Sequence, residues 1–113
     1  MHARVWQLQI GRGKLEEFKN ALHSLIPAAQ QQGGFLGALA LGCAEKGASE
    51  ISLIALWESL EALRASERNM LVAQAISRFV GCCEGFPQIQ EREVLASEFP
   101  LSARQAAWPG RVI

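Results

Sequence analysis

Glu50-Ile51-Ser52-Leu53-Ile54-Ala55-Leu56-Trp57 alternates in its apolar residues and runs directly into Glu58-Ser59-Leu60-Glu61-Ala62-Leu63, where the apolar period changes from two to nearly four. That change marks a strand feeding a helix. Ser59 stands where a helix N-cap belongs, and Glu61 adds a carboxylate to the first turn, where it meets the helix dipole favourably. Trp57 sits at the junction. A large aromatic there either walls a cavity or packs a core, and it buries about 150 to 250 Å² in both roles.

Working outward, Ile51, Leu53, Ala55 and Trp57 share one strand face and Ile54 and Leu56 the other. Upstream, Phe35 to Cys43 reads as a strand with Phe35, Gly37, Leu39, Leu41 and Cys43 on one face and Leu36, Ala38 and Ala40 on the other. Both strands are apolar on both sides, so their sheet needs two covers. Ala3 to Ile10 reads as the first strand, with Arg4, Trp6, Leu8 and Ile10 opposing Val5, Gln7 and Gln9. Gly11-Arg12-Gly13 breaks it. From Lys14 to about Gln32, Leu15, Phe18, Leu22, Leu25 or Ile26, and Ala29 form one apolar helical stripe that stops at Gly33-Gly34. Pro27 is expected to bend this helix or divide it near Leu25.

Downstream, Ser66 is expected to cap a second helical segment carrying Met70, Val72, Ile76, Phe79 and Val80, which Gly81 and Gly85 end. Gln88 to Ala96 reads as a final, half-exposed edge strand because Glu91, Arg92 and Glu93 interrupt its apolar residues. The order strand, helix, strand, strand, helix, strand is that of a split βαβ, ferredoxin-like α+β domain over residues 1–96. Residues 97–113 lack a period. They are expected to wrap the body or a partner through Phe99 and Trp108, or to be partly disordered.

Only 19% of the 113 residues are charged while half are hydrophobic, so part of the apolar excess is expected to face a second subunit. Eleven basic and eleven acidic side chains balance, which argues against a nucleic-acid partner. The N-terminus runs directly into a strand pattern without the apolar stretch of a secretion signal, no segment approaches 18 consecutive apolar residues, and the expectation is a cytoplasmic protein with no membrane association. Cys43 and the adjacent Cys82-Cys83 are an odd number without C-x-x-C spacing, which speaks against a disulfide framework.

Gln7 and Gln9 are amides on a strand expected to be central, and buried amides must bond to each other across an interface or to a ligand. His23 falls on the polar flank of the first helix, and His2 is terminal and expected to be mobile. Two adjacent cysteines plus a distant histidine do not make a zinc site. Glu91 and Glu93 share a strand face without further acid-base signature. No metal, haem or flavin is expected, since no ligand cluster or phosphate-cradling glycine loop is visible.

The junction from Ile54 to Leu63 resembles the antibiotic biosynthesis monooxygenase-type family of dimeric α/β-barrel proteins. Three further stretches agree with it: Gly11 to Phe18 after the first strand, Gly34-Phe35-Leu36-Gly37 at the start of the second, and Ile89 to Leu95 in the last. The resemblance implies an antiparallel sheet, and a homodimer with the two sheets packed face to face. It also implies a pocket between each sheet and its own helices, walled by Trp57. The reading is a cofactor-independent monooxygenase-like protein acting on a small aromatic or polyketide or quinone-type substrate, with Trp57, Gln7, Gln9, Leu53, Phe18 and Leu22 as substrate-binding residues. The alternative is a non-catalytic homodimer of the same fold that binds a small molecule or a partner. Oxygenases of the family place an asparagine and a tyrosine near the tryptophan, where this chain offers Leu53 and Ala62 or Leu63. Haem-degrading relatives use a histidine in the last helix, where this chain has Ala73 and Gln74.

Overall fold

The computed structural model describes residues 1–42 and 50–98, in the order β1 (His2–Gln9), α1 (Leu15–Gln32), β2 (Phe35–Gly42), β3 (Glu50–Trp57), α2 (Leu60–Glu67), α3 (Met70–Val80) and β4 (Gln88–Glu93). The strands form one sheet in the order β2-β3-β1-β4, and every neighbouring pair is antiparallel. This is the ferredoxin-like α+β arrangement read from the sequence. Among the described residues no helix is long and apolar enough to cross a membrane.

Strand alternation decides what each face carries. Trp6 pairs with Leu53, Leu8 with Ile51 and His2 with Trp57, so these six share a face. The helices cover that face. Trp6 and Leu8 join Phe18, Leu22, Leu53 and Phe79 in the main core. Phe79 holds the centre edge-on to two rings, 5.2 Å from Trp6 and 6.2 Å from Phe18 between centroids. The other face of the sheet carries Val5, Gln7, Leu39, Leu41, Ile54 and Leu56, and among the described residues no helix covers it; Leu41 is 52% exposed.

Several boundaries differ from the reading of the sequence. Pro27 does not divide α1, which is continuous to Gln32. Its ring lies on the exposed flank, and the carbonyl four residues back belongs to exposed His23, where water can replace the missing bond. Ser66 is not a cap. It is buried near the end of α2 and donates to the Leu63 carbonyl at 2.6 Å, while Asn69 caps α3 by accepting from the N–H groups of Leu71 and Val72. A register shift between Phe35 and Gly37 turns Phe35 to the helix-covered face, away from Leu39 and Leu41. β4 ends at Glu93 rather than Ala96. Cys43, Phe99 and Trp108 lie outside the described residues.

Ser59 caps α2 as expected, accepting from Ala62 N–H at 3.0 Å. The following turn places α2 against the start of β2. Glu58 N–H donates to the Gly34 carbonyl at 2.7 Å, and a Cβ on Gly34 would come within 2.6 Å of the Ala62 Cβ. Gly34 also has φ of 76°. Only glycine meets both demands, the positive φ and the close approach.

Candidate functional site

Trp57 leaves β3 just before the Ser59 cap and is 4% exposed. With Ala29 and Leu63, and with Phe35 and Ala62 packed against them, it forms an apolar cluster separate from the main core. The Phe35 and Trp57 rings meet at 5.1 Å and 61°. Between this cluster and the core lies a cavity of about 30 Å³ that Trp57 and Phe35 share with Trp6, Leu53, Arg4 and Ser66. That volume holds a water. An aromatic substrate needs roughly 300 Å³ or more, so the cavity accepts one only if a wall moves.

The wall over this end of the sheet is α2, a helix of 8 residues whose buried side chains are Leu63 and Ser66. Four charges tie it down. Arg4 on β1 donates through Nη2 to Glu67 on α2, and to Glu91 on β4 at 3.2 Å. Arg64 Nη1 donates to the same two carboxylates, at 3.2 Å to Glu67 and 2.5 Å to Glu91. The bond from Arg4 holds the Glu67 carboxyl below its ordinary range, and the bonds to Glu91 and then Glu67 raise Arg64. The network joins α2 to both strands beneath it.

Of the six residues expected in the pocket, the fold brings Trp57 and Leu53 to the cavity. Phe18 and Leu22 lie in the main core instead, where α1 packs on the sheet. Gln7 and Gln9 are exposed on the face opposite Trp57, because their β1 positions alternate with Trp6; Gln7 Oε1 accepts from Ser52 Oγ at 2.8 Å. Arg4 and Ser66 also line the cavity, though the reading of the sequence does not single them out for it. The signal for Arg4 was a charged residue on a strand face otherwise made of Trp6, Leu8 and Ile10. His2 is not a mobile end but the first residue of β1, half-buried beside Trp57.

Elsewhere, a wider groove of about 320 Å³ runs between α1 and α3, lined by Glu17, Asn20, Ala21, Ser24, Arg78 and Cys82. Burial raises the thiols of both Cys82 and Cys83, and each sulfur donates back to a helix carbonyl. Among the described residues no three His, Cys, Asp or Glu side chains are grouped to hold a metal.

Residues 1–78 match the family model described as antibiotic biosynthesis monooxygenase. No curated protein matches. Among solved structures, a conserved protein from Methanosarcina mazei Go1 is 18% identical with a TM-score of 0.70, covering 81% of this chain and 91% of its own. A protein of unknown function from Nitrosomonas europaea is 20% identical, with a TM-score of 0.69 over 88% of this chain and 93% of its own. SnoaB, a cofactor-independent oxygenase from Streptomyces nogalater, shares the fold at 12% identity and a TM-score of 0.73, over 85% of this chain and 94% of its own. The family model spans well over half the sequence and includes the strand-to-helix junction at Trp57, and the chain belongs to the antibiotic biosynthesis monooxygenase family.

Proposed function

We propose that the chain is a homodimeric, cofactor-independent monooxygenase-like protein that holds a small aromatic substrate against Trp57. The observation carrying this reading is the Trp57 cavity: an apolar space walled by three aromatic rings, with Arg4 and Ser66 as its polar residues, set under a separately packed helix. Such a site can exclude water from an electron-rich ring and stabilise charge as it develops on a substrate oxygen. In cofactor-free oxygenation the substrate itself supplies the electrons. A dihydroxynaphthalene and dioxygen would give a hydroxynaphthoquinone and water, with one oxygen atom in each product. The similarity to SnoaB supports the reaction class.

A second reading, a non-catalytic binder of the same fold, is favoured by the cavity's volume of about 30 Å³. Dioxygen uptake with a dihydroxynaphthalene, in the presence of a chelator, separates the two. Enzyme-dependent uptake with quinone formation supports the oxygenase, binding without uptake supports the second reading, and neither binding nor uptake overturns both.

A further inference from the structure

Among the described residues, two buried side-chain nitrogens have no hydrogen-bond partner: Arg4 Nε and His2 Nδ1. They stand two residues apart on β1, on the face they share with Trp57, and His2 is the ladder partner of Trp57 itself. Buried polar groups left unpaired are costly and few in native proteins, so two at one end of one face call for a bonding partner. Arg4 is moreover the charged residue among those lining the Trp57 cavity, and its side chain is only 15% exposed. Its Nη2 is committed to Glu67 and Glu91.

We propose that Arg4 Nε is the polar anchor of the Trp57 cavity and donates to a neutral carbonyl oxygen on a flat aromatic ligand, an aryl ketone or quinone. The charge balance selects the neutral group. Two guanidinium groups, Arg4 and Arg64, are already matched by two carboxylates, Glu67 and Glu91, so no surplus positive charge awaits a ligand carboxylate. A ligand carboxylate would meet Glu67 and Glu91 at close range; a carbonyl takes the N–H without adding charge. The ring would lie among Trp57, Phe35 and Trp6, and His2 Nδ1 offers a second polar point on that side. Entry requires a covering helix to move, and the cavity is covered by Ser66 of α2, Leu25 and Ala29 of α1, and Val72 and Ile76 of α3. Of these, α2 has no residue in the main core; it is seated by the Ala29, Trp57 and Leu63 cluster, the ion pairs and the close approach of Ala62 to Gly34.

The inference rests on the reading of the Trp57 cavity as a ligand site, and the test separates the two. Acetophenone and isopropylbenzene have similar shapes, but only the first carries an oxygen. Both are titrated into the protein with the Arg4 Nε–Hε resonance followed by NMR. Acetophenone should move the resonance downfield, beyond the ring-current shift that isopropylbenzene gives. In Arg4→Met the ratio of the two affinities should shift against acetophenone by about tenfold, the loss expected for a hydrogen bond from a charged donor. In Arg64→Gln, which weakens the ion pairs but keeps Nε, the ratio should hold. If Arg4→Met does not fold, the wild-type resonance decides. Binding of both ligands with no downfield shift particular to acetophenone would overturn the anchor and leave the cavity reading standing. Tighter binding of benzoate than of acetophenone would overturn the neutral-carbonyl preference, and binding of neither ring would remove the cavity reading and the anchor together.

Discussion

Phe35 and Trp57, the first residue of β2 and the last of β3, are ladder partners whose rings meet edge to face at 5.1 Å. The register shift beside Phe35 is what turns its ring to the Trp57 side of the sheet. The pair makes one wall of the cavity, and both residues pack in the cluster that seats α2. The cavity wall and the seat of α2 are therefore built from the same side chains.

Gly34 sets how closely α2 approaches β2. Gly34→Ala adds a Cβ against Ala62 at a positive φ, and it should cost about 1 to 3 kcal/mol of stability through strain and overpacking. Gly42→Ala serves as a reference, since among the described residues a Cβ there meets the end of the Ile51 side chain at an ordinary 3.6 Å. Urea unfolding of the two variants measures the difference.

The ion pairs over α2 should loosen in acid. The folded-state carboxyl of Glu67 titrates below its ordinary value because Arg4 donates to it. Its contribution to stability is therefore present above the unfolded carboxyl pKa of about 4.3 and is lost as pH falls through the lower folded value. Glu67→Gln should flatten that part of the stability profile. Thermal melts from neutral pH down into the acid range would show an unchanged slope if the pairing contributes nothing.

Cys82 and Cys83 should react slowly in the native state, because burial raises both thiols and reduces their thiolate fraction. Cys82, the more buried of the two, should be the slower. Modification by a thiol reagent at mildly alkaline pH, read by mass spectrometry, should show this order, and the two rates should converge in denaturant.

The sheet face without helices is expected to form the dimer interface, with Ile54 near its middle and Leu39 across the ladder from it. Ile54→Lys puts a charge into that face and should convert a dimer to a monomer in sedimentation at micromolar concentration. A wild-type protein already monomeric there would refute the interface.

The strand-to-helix junction was legible because period, cap and aromatic all change within Glu50 to Leu63, and the structure reproduces that strand and the Ser59 cap. Non-local geometry was not legible. Alternation in Ala3 to Ile10 separates Arg4, Trp6, Leu8 and Ile10 from Val5, Gln7 and Gln9, but which set faces Trp57 depends on the pairing of His2 with Trp57. Gln7 and Gln9 read as amides on a central strand, yet the pairing turns them away and brings Arg4 in. Ser66 misled for a related reason. Its hydroxyl bonds back to the Leu63 carbonyl within α2, a local use that competes with capping and leaves no separate mark in the sequence.

Trp57 is proposed to wall a ligand site rather than only to pack a core. Trp57→Phe, studied by equilibrium unfolding together with acetophenone binding, tests it most directly. If Trp57 lines a site, the stability cost should fall well below the roughly 3 to 5 kcal/mol of truncating a close-packed aromatic, while affinity drops by about tenfold through lost ring contact. A large loss of stability with unchanged binding would contradict the account.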